Sequence, residues 1–561
     1  MMRIKECLNS LPDKVVAGLL AALFLLLLAG IMPATQLWDW DESFYGRTAI
    51  EMLRSGNFLV PTFNGEIFPH KTPLIYWLMA LSVSVFGETE FAVRFPSAIA
   101  VSGSAWLIYK IGKILFSPQT GLWAMAIFAS SLLTIVIGSA ALLDGVLLFS
   151  ICLSFWAHAR LLARLGSDRA SVAVFGLGLM LSVYAKGPVG PVVICLAAII
   201  SWYLLPSTQL PPRSKLFALV GVSVAAFFGF LLWLIPVIRQ GGDAVISQGV
   251  GLHIIGRALV PMEGHGGSGF WGYMATLPFY VPIIVIGCMP WSLLLPVAIA
   301  DANKTFDRKT KILLLSWGLP IFCVFSLSAT KLPHYIFPVF PVVSLVLAAY
   351  VAKTIHSSGF SKSALLGVFV FAVFYIAMGF GFLYVYKNQL IAHWSMYLLF
   401  FSAFVLLFVG VSLYLYRKNI ALMACFFMLS SFFLLYNVFW YVLPNVEKSI
   451  KVSKDIGTEI SKLAHTDPLL FMAGYTEPSL VFYAHLDTDM PFKNLPASDD
   501  DLMKLVSLPR NLLFVVTEAE LDRLKRALTG RDYEIRKKMD VINTNNDSRV
   551  RQVYLIFSKS K

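Results

Sequence analysis

Charged residues are scarce in this chain: 14% of its 561 residues are Asp, Glu, Lys or Arg, against 58% that are hydrophobic. With a mean hydropathy of +0.73, that balance excludes a soluble globular protein and points to a polytopic α-helical membrane protein. Cysteine is sparse as well, with 6 in all. Cys152, Cys195, Cys288, Cys323 and Cys425 fall in apolar stretches, Cys7 precedes the first of them, and none follows residue 445. Neither a disulfide framework nor a cysteine metal site is expected. The chain also lacks a Gly-rich phosphate loop and a dinucleotide fingerprint, so any energy for chemistry has to arrive with the substrate. No internal repeat is visible, which disfavours a transporter or flippase for lipid-linked saccharides.

Long apolar runs are what the chain has instead. Residues 15–32, 121–137, 189–205, 216–238 and 398–416 are each about long enough to cross a hydrocarbon core as a helix. Taking all such stretches gives roughly thirteen spans before residue 445. The net charge of +13 would suit a nucleic acid, but the basic residues follow the membrane and no nucleic-acid partner is expected. Arg3, Lys5 and Lys14, Lys110 and Lys113, Arg160, Arg164 and Arg169, Arg213 and Lys215, Lys304 to Lys311, Lys353 and Lys362, and Arg417 and Lys418 fall in alternate connections. That is the positive-inside pattern, with a cytoplasmic N-terminus and, after an odd number of spans, a periplasmic tail. The first span has no small-residue cleavage site after it, so a retained anchor is expected there. The chain thus divides into a membrane region, residues 1–444, and a tail, residues 445–561. Strand-like runs at 469–472, 512–516 and 553–557, with helical stretches near 452–464 and 518–528, predict a small α/β domain in the tail. Its candidates for chemistry are Glu477, His485 and Asp487, for which solvated surface positions are the plainer reading.

The first outer loop, residues 34–90, concentrates ionisable groups: Trp38-Asp39-Trp40-Asp41-Glu42, then Phe68-Pro69-His70-Lys71-Thr72-Pro73. Such groups beside a bilayer are costly, which makes the loop the candidate site for a charged, lipid-borne substrate. Asp144 is the only acid between Thr120 and Arg160, where two apolar runs meet at the outer face. A glycine-rich loop over residues 239–273 carries His253, Arg257, Glu263 and His265, and could close over such a substrate. Lys186 and Lys331, the latter followed by His334 and Tyr335, sit at predicted outer helix ends, where a lysine can also simply snorkel to headgroups. A sugar carried on polyprenyl phosphate leaves behind a phosphate on which negative charge builds, so cations should line its position. Lys71, Arg257 and Lys331 are the cations at hand, while Asp41 and Asp144 could orient sugar hydroxyls or deprotonate an acceptor.

At these residues the chain resembles a known family. Trp40-Asp41-Glu42-Ser43-Phe44-Tyr45, Glu51-Met52-Leu53-Arg54-Ser55-Gly56-Asn57, Val60-Pro61, Asn64-Gly65, His70-Lys71-Thr72-Pro73-Leu74 and Tyr76-Trp77 are similar to the first periplasmic loop of the GT-C glycosyltransferases of the protein mannosyltransferase and ArnT branch. The similarity continues through Leu143-Asp144, His253-Ile254-Ile255-Gly256-Arg257, Phe270-Trp271 with Tyr273, and Lys331-Leu332-Pro333-His334-Tyr335 with Pro338. The resemblance implies a GT-C fold with about 13 transmembrane helices in a bacterial inner membrane. It also implies an undecaprenyl-phosphate sugar donor, with 4-amino-4-deoxy-L-arabinose moved to lipid A or another envelope glycan. It makes Asp41, Asp144 and Glu42 the catalytic candidates, and Lys71, Tyr45, Arg257, Lys331, His253 and Tyr335 the donor-binding candidates. No cofactor is required by this reading, although a divalent metal such as zinc, held by His70 with His265 or His334, is a further expectation. The chain departs from ArnT proteins at His70-Lys71-Thr72-Pro73, where they have Glu-Lys-Pro, and at Phe44, where they have Arg. A protein or another glycan as acceptor therefore stays open.

Overall fold

The computed structural model describes residues 11–165, 168–256, 259–261, 266–267, 269–355, 420–486, 490–542 and 550–560. Among these, 8 helices are long and apolar enough to cross a bilayer, from Asp13–Ala34 to Pro333–Thr354. A bent pair, Pro118–Ala129 and Leu132–Gly138, meeting at 67°, makes a ninth. Leu74–Phe86 and Val189–Leu204 are shorter apolar helices. The protein is a multi-pass membrane protein; the predicted span at 398–416 lies outside the described residues. Helices are the only open-ended way to satisfy every backbone N–H and C=O within lipid, which is why the apolar runs take this form. Glu90–Leu115 and Leu143–Leu162 form the centre of the bundle, with Val101, Ile108, Leu147 and Ile151 at most 2% exposed.

Residues 34–90 are less of a loop than the sequence suggested. They hold the helix Phe44–Ser55, the hairpin of β1 (Thr62–Phe63) and β2 (Glu66–Ile67), and the helix Leu74–Phe86. Phe44–Ser55 buries Tyr45, Thr48, Ala49 and Met52 and stops at Gly56, whose φ of 70° closes the helix in the left-handed region that glycine enters freely. Leu74–Phe86 is apolar except for Ser82 and Ser84 but spans only 13 residues, too few to cross a bilayer.

Beyond the helix Leu443–Ile450, the tail folds into a five-stranded sheet. The strands are β3 (Leu469–Ala473), β4 (Phe492–Asn494), β5 (Leu512–Thr517), β6 (Tyr533–Ile542) and β7 (Val550–Ser558), in the order β4-β3-β5-β7-β6. β3 runs parallel to β4 and β5, and β7 pairs antiparallel with β5 and β6. Period-two alternation splits β5 between two cores: Leu513 and Val515 meet Ile456, Ile460 and Leu480 on one face, and Leu512, Phe514 and Val516 meet Leu502, Leu521 and Leu524 on the other. β4, β6 and the helices Pro478–Tyr483 and Asp499–Val506 are additions to the predicted layout; β4 has only 3 residues and β6 is mostly polar, so neither carries a strong strand signal.

This C-terminal unit rests on the first loop. The Asn64 amide exchanges two hydrogen bonds of 2.8 Å with the Phe492 backbone, tying the β1–β2 turn to edge strand β4. The Leu37 N–H donates to the Tyr483 hydroxyl at 2.8 Å, and the Gln36 N–H to Glu447 at 2.9 Å. Arg47 and Arg54 both donate to the Leu486 carbonyl.

Candidate active site

Asp41 lies in the π-helical turn Asp39–Ser43, which connects extended Trp38 to the helix Phe44–Ser55. Glu42 fixes that turn. Its carboxylate, 1% exposed, receives Arg94 Nε at 2.8 Å and Nη2 at 2.6 Å, the Ala141 N–H at 2.6 Å and the Trp38 N–H at 3.0 Å. Burial alone would raise the Glu42 carboxyl; the Arg94 guanidinium and the two backbone N–H groups hold it below its ordinary value instead. Arg94 goes on to donate to the carbonyls of Met32, Thr35 and Gln36. Glu42 therefore has no oxygen left for a substrate, and its expected catalytic role gives way to a structural one. It couples the Asp41 turn to Ala141, just ahead of the helix Leu143–Leu162 that carries Asp144.

Asp41 is half-buried, and one of its oxygens accepts the Tyr45 hydroxyl at 2.5 Å. Tyr45 is also beneath the Lys71 amine, which is 6.0 Å from its ring centroid. Asp144 is 1% exposed; Lys186 Nζ is 2.7 Å from one oxygen and His334 Nε2 is 3.6 Å from the other. The Lys186 amine lies 4.0 Å from the Tyr335 ring centroid, so the ammonium sits between a carboxylate and an aromatic face. A cavity of about 670 Å³ opens here. His70, Lys71, Thr72, Lys186 and Tyr335 line its polar part, and Phe227, Phe230, Trp233, Leu234 and Val237 form an apolar wall along the helix Arg213–Ala244.

The remaining candidates divide. Lys331 is 4% exposed and donates to the Ser326 and Ser328 carbonyls at 2.6 Å, so it caps the end of the helix Arg308–Leu327 and does not line the cavity. Burial lowers its pKa, and these carbonyls satisfy an ammonium that the sequence reading assigned to phosphate. His253 belongs to the helical segment Val245–Gly256; its side chain, like Arg257, Glu263 and His265, lies outside the described residues. His70 packs against Phe68 with ring centroids 3.8 Å apart, while His334 faces Asp144. Among the described residues, no three His, Cys, Asp or Glu side chains converge in a way that could hold a metal ion.

In the tail, His485 pairs with Glu88 at 2.9 Å and Asp487 is outside the described residues. Glu477 is better placed than a surface acid: burial and the neighbouring Asp39 push its carboxyl up to about 7. Asp39, which accepts the Ser479 N–H at 3.1 Å, is itself pushed up by burial. Between the ordinary value of 4.5 and about 7, the folded chain keeps a proton on Glu477 that the unfolded chain has lost. Its contribution to folding is thus full below pH 4.5 and disappears as the pH rises through about 7. Glu477→Gln is expected to gain melting temperature over the wild type between pH 5 and pH 8; an offset independent of pH would remove Glu477 from this account.

Sequence reasoning missed Arg94 and did not join Lys186 to Asp144. The signal for Arg94 was available: a lone arginine within the apolar run that follows Glu90 requires a buried partner. Nothing in the spacing could say that the partner was Glu42.

Residues 70–233 match the family model of dolichyl-phosphate-mannose-protein mannosyltransferases. An undecaprenyl phosphate-alpha-4-amino-4-deoxy-L-arabinose arabinosyl transferase of Edwardsiella ictaluri is 28% identical over 347 residues, 61% of this chain and 60% of that protein. A second from Proteus mirabilis is 30% identical over 353 residues, again 61% of this chain and 60% of the relative. The chain thus spans less than two thirds of the length of these relatives. In structure it is similar to ArnT from Cupriavidus metallidurans bound to undecaprenyl phosphate, with a TM-score of 0.75, 16% identity and coverage of 96% of this chain and 97% of that one. The apo form of the same protein gives a TM-score of 0.72. The fold is the GT-C fold of ArnT, and the resemblance read from the first-loop motifs holds.

Proposed function

We propose that this chain is a glycosyltransferase of the bacterial inner membrane that moves a sugar, 4-amino-4-deoxy-L-arabinose, from undecaprenyl phosphate to lipid A or a related envelope glycolipid. Its N-terminus would be cytoplasmic, and the C-terminal unit, with Asp41 and Asp144, would face the periplasm. The observation that carries this reading is the cavity, which Lys71 and Lys186 line together with Phe227, Phe230 and Trp233. An isoprenoid tail needs an apolar, aromatic surface, its phosphate needs cations, and here both belong to one space. The names of the arabinosyl transferase relatives support the donor.

In the reaction, the bond between the anomeric carbon and the phosphate oxygen breaks while the acceptor oxygen bonds to that carbon. The electron pair leaves with the phosphate, whose growing charge Lys71 and Lys186 offset. Asp144 holds Lys186 in place with one oxygen and faces His334 with the other. Asp41, oriented by Tyr45, takes the acceptor proton or anchors the sugar.

The direct test is mass spectrometry of purified protein in liposomes with the aminoarabinose donor and lipid A, scoring the mass gained by the acceptor. Modified lipid A with release of undecaprenyl phosphate supports the proposal; donor consumption that labels protein instead favours the mannosyltransferase-like acceptor suggested by the match over residues 70–233. Lys71→Met is expected to raise the donor KM by about tenfold, since a hydrogen bond to a charged group is worth about 1.5–3 kcal/mol. An unchanged donor KM would take Lys71 out of the phosphate site.

A further inference from the structure

Thr72 Oγ1 and the Tyr76 phenol are among the buried hydroxyls with no hydrogen-bond partner among the described residues. Tyr76 is 0% exposed and Thr72 is 8% exposed. A buried hydroxyl without a partner is costly, and nearly all buried polar groups in folded proteins find one. Thr72 lines the cavity and Tyr76 lies beside Tyr45, outside its lining. Thr72 follows Lys71 directly. Tyr76, four residues on and in the first turns of the helix Leu74–Phe86, meets the Tyr45 ring edge-on at a centroid distance of 6.0 Å. Tyr45 in turn holds Asp41. Burial, and then the charge of Asp41, push the Tyr76 phenol above its ordinary pKa, which keeps it a neutral donor and acceptor.

A donor whose phosphate is at Lys71 and whose anomeric carbon is toward Asp41 has its sugar ring between the two. We propose that Thr72 Oγ1 and the Tyr76 hydroxyl are sugar-reading groups, whose hydrogen-bond partners are hydroxyl or amino groups of the donor sugar. This rests on the transferase reading above and adds to it the residues that distinguish a sugar-bearing carrier from the bare polyprenyl phosphate.

The test uses full-length Tyr76→Phe and Thr72→Val, each nearly the same shape as the residue it replaces. Removing an unpaired buried hydroxyl relieves an unmet cost, so neither variant should melt below the wild type. The kcat/KM for the aminoarabinose donor should nevertheless fall, by about tenfold for Tyr76→Phe and about fivefold for Thr72→Val. The Kd for undecaprenyl phosphate without sugar should stay within about twofold of the wild type, because the hydroxyls contact the ring and not the phosphate. Three results overturn the assignment: an unchanged kcat/KM, an equal loss of sugar-free carrier binding, or a lowered melting temperature that reveals a partner inside the protein. If the wild type itself transfers no sugar from any polyprenyl phosphate, the transferase reading fails. If the wild type transfers and both variants keep its kcat/KM, only the present inference does.

Discussion

Asp41→Asn is expected to lower sugar transfer by about a thousandfold, within the usual range for a positioned acid or base, while leaving the protein folded. Asn keeps the size of the side chain and can still accept the Tyr45 hydroxyl through its carbonyl, so the turn Asp39–Ser43 should survive. What is lost is the negative charge and the ability to take a proton. The measurement is lipid A and undecaprenyl-linked sugar by mass spectrometry, from cells that express the wild type or the variant at equal level. The modified lipid A should vanish and the loaded carrier accumulate. Retention of more than about a tenth of wild-type transfer would exclude Asp41 as the group that handles the acceptor or anchors the sugar. The companion change Tyr45→Phe should cost far less, about tenfold, because it removes one neutral hydrogen bond to a carboxylate that remains charged.

Asp41 stands out in the sequence because the membrane makes charges conspicuous: an acid beside a bilayer is costly and usually has a reason, and Asp144 stands out on the same ground. The spans at 15–32 and 216–238 were legible because an apolar run of bilayer length has few other uses, whereas the run at 121–137 is bent and that at 189–205 forms a shorter helix. The same signal fails for Leu74–Phe86, which is as apolar as a span but too short to cross, and it was absorbed into a loop. Glu42 shows the other limit. Adjacent to Asp41 and equally acidic, it reads as a catalytic partner until Arg94 is seen beside it, 52 residues along the chain. Lys331 and Lys186 are a matched case, each a lysine at an outer helix end. One is consumed by the carbonyls of Ser326 and Ser328 and the other stands between Asp144 and Tyr335, and only packing distinguishes them. The contacts that set the C-terminal unit on the first loop, Asn64 with Phe492 and Leu37 with Tyr483, join positions more than 400 residues apart and leave no local pattern at all.

Arg94→Met should be the most damaging change outside the residues that touch substrate. It leaves the Glu42 carboxylate, 1% exposed, without its counter-charge and takes the Arg94 donors from the carbonyls of Met32, Thr35 and Gln36, of which Gln36 keeps Lys451. Breaking one side of a buried ion pair costs about 3–5 kcal/mol, a large share of the stability of any folded unit. The expected result is a steep drop in melting temperature and in the yield of folded protein from detergent. Glu42→Gln combined with Arg94→Met should recover much of that loss, since the buried charge is gone and the Gln carbonyl can still accept from Ala141 or Trp38. The double variant then separates two roles of the pair. If it folds and transfers sugar at the wild-type rate, the Arg94–Glu42 pair only neutralises itself. If it folds and transfers poorly, the pair sets the Asp41 turn against the start of the Asp144 helix, because the Ala141 contact is the link from Glu42 to that helix and a neutral amide holds it with half the strength of a carboxylate. The second outcome is expected, since chemistry between a donor at Lys71 and an acceptor at Asp41 depends on their spacing, and a displacement of about 1 Å can cost a hundredfold in rate.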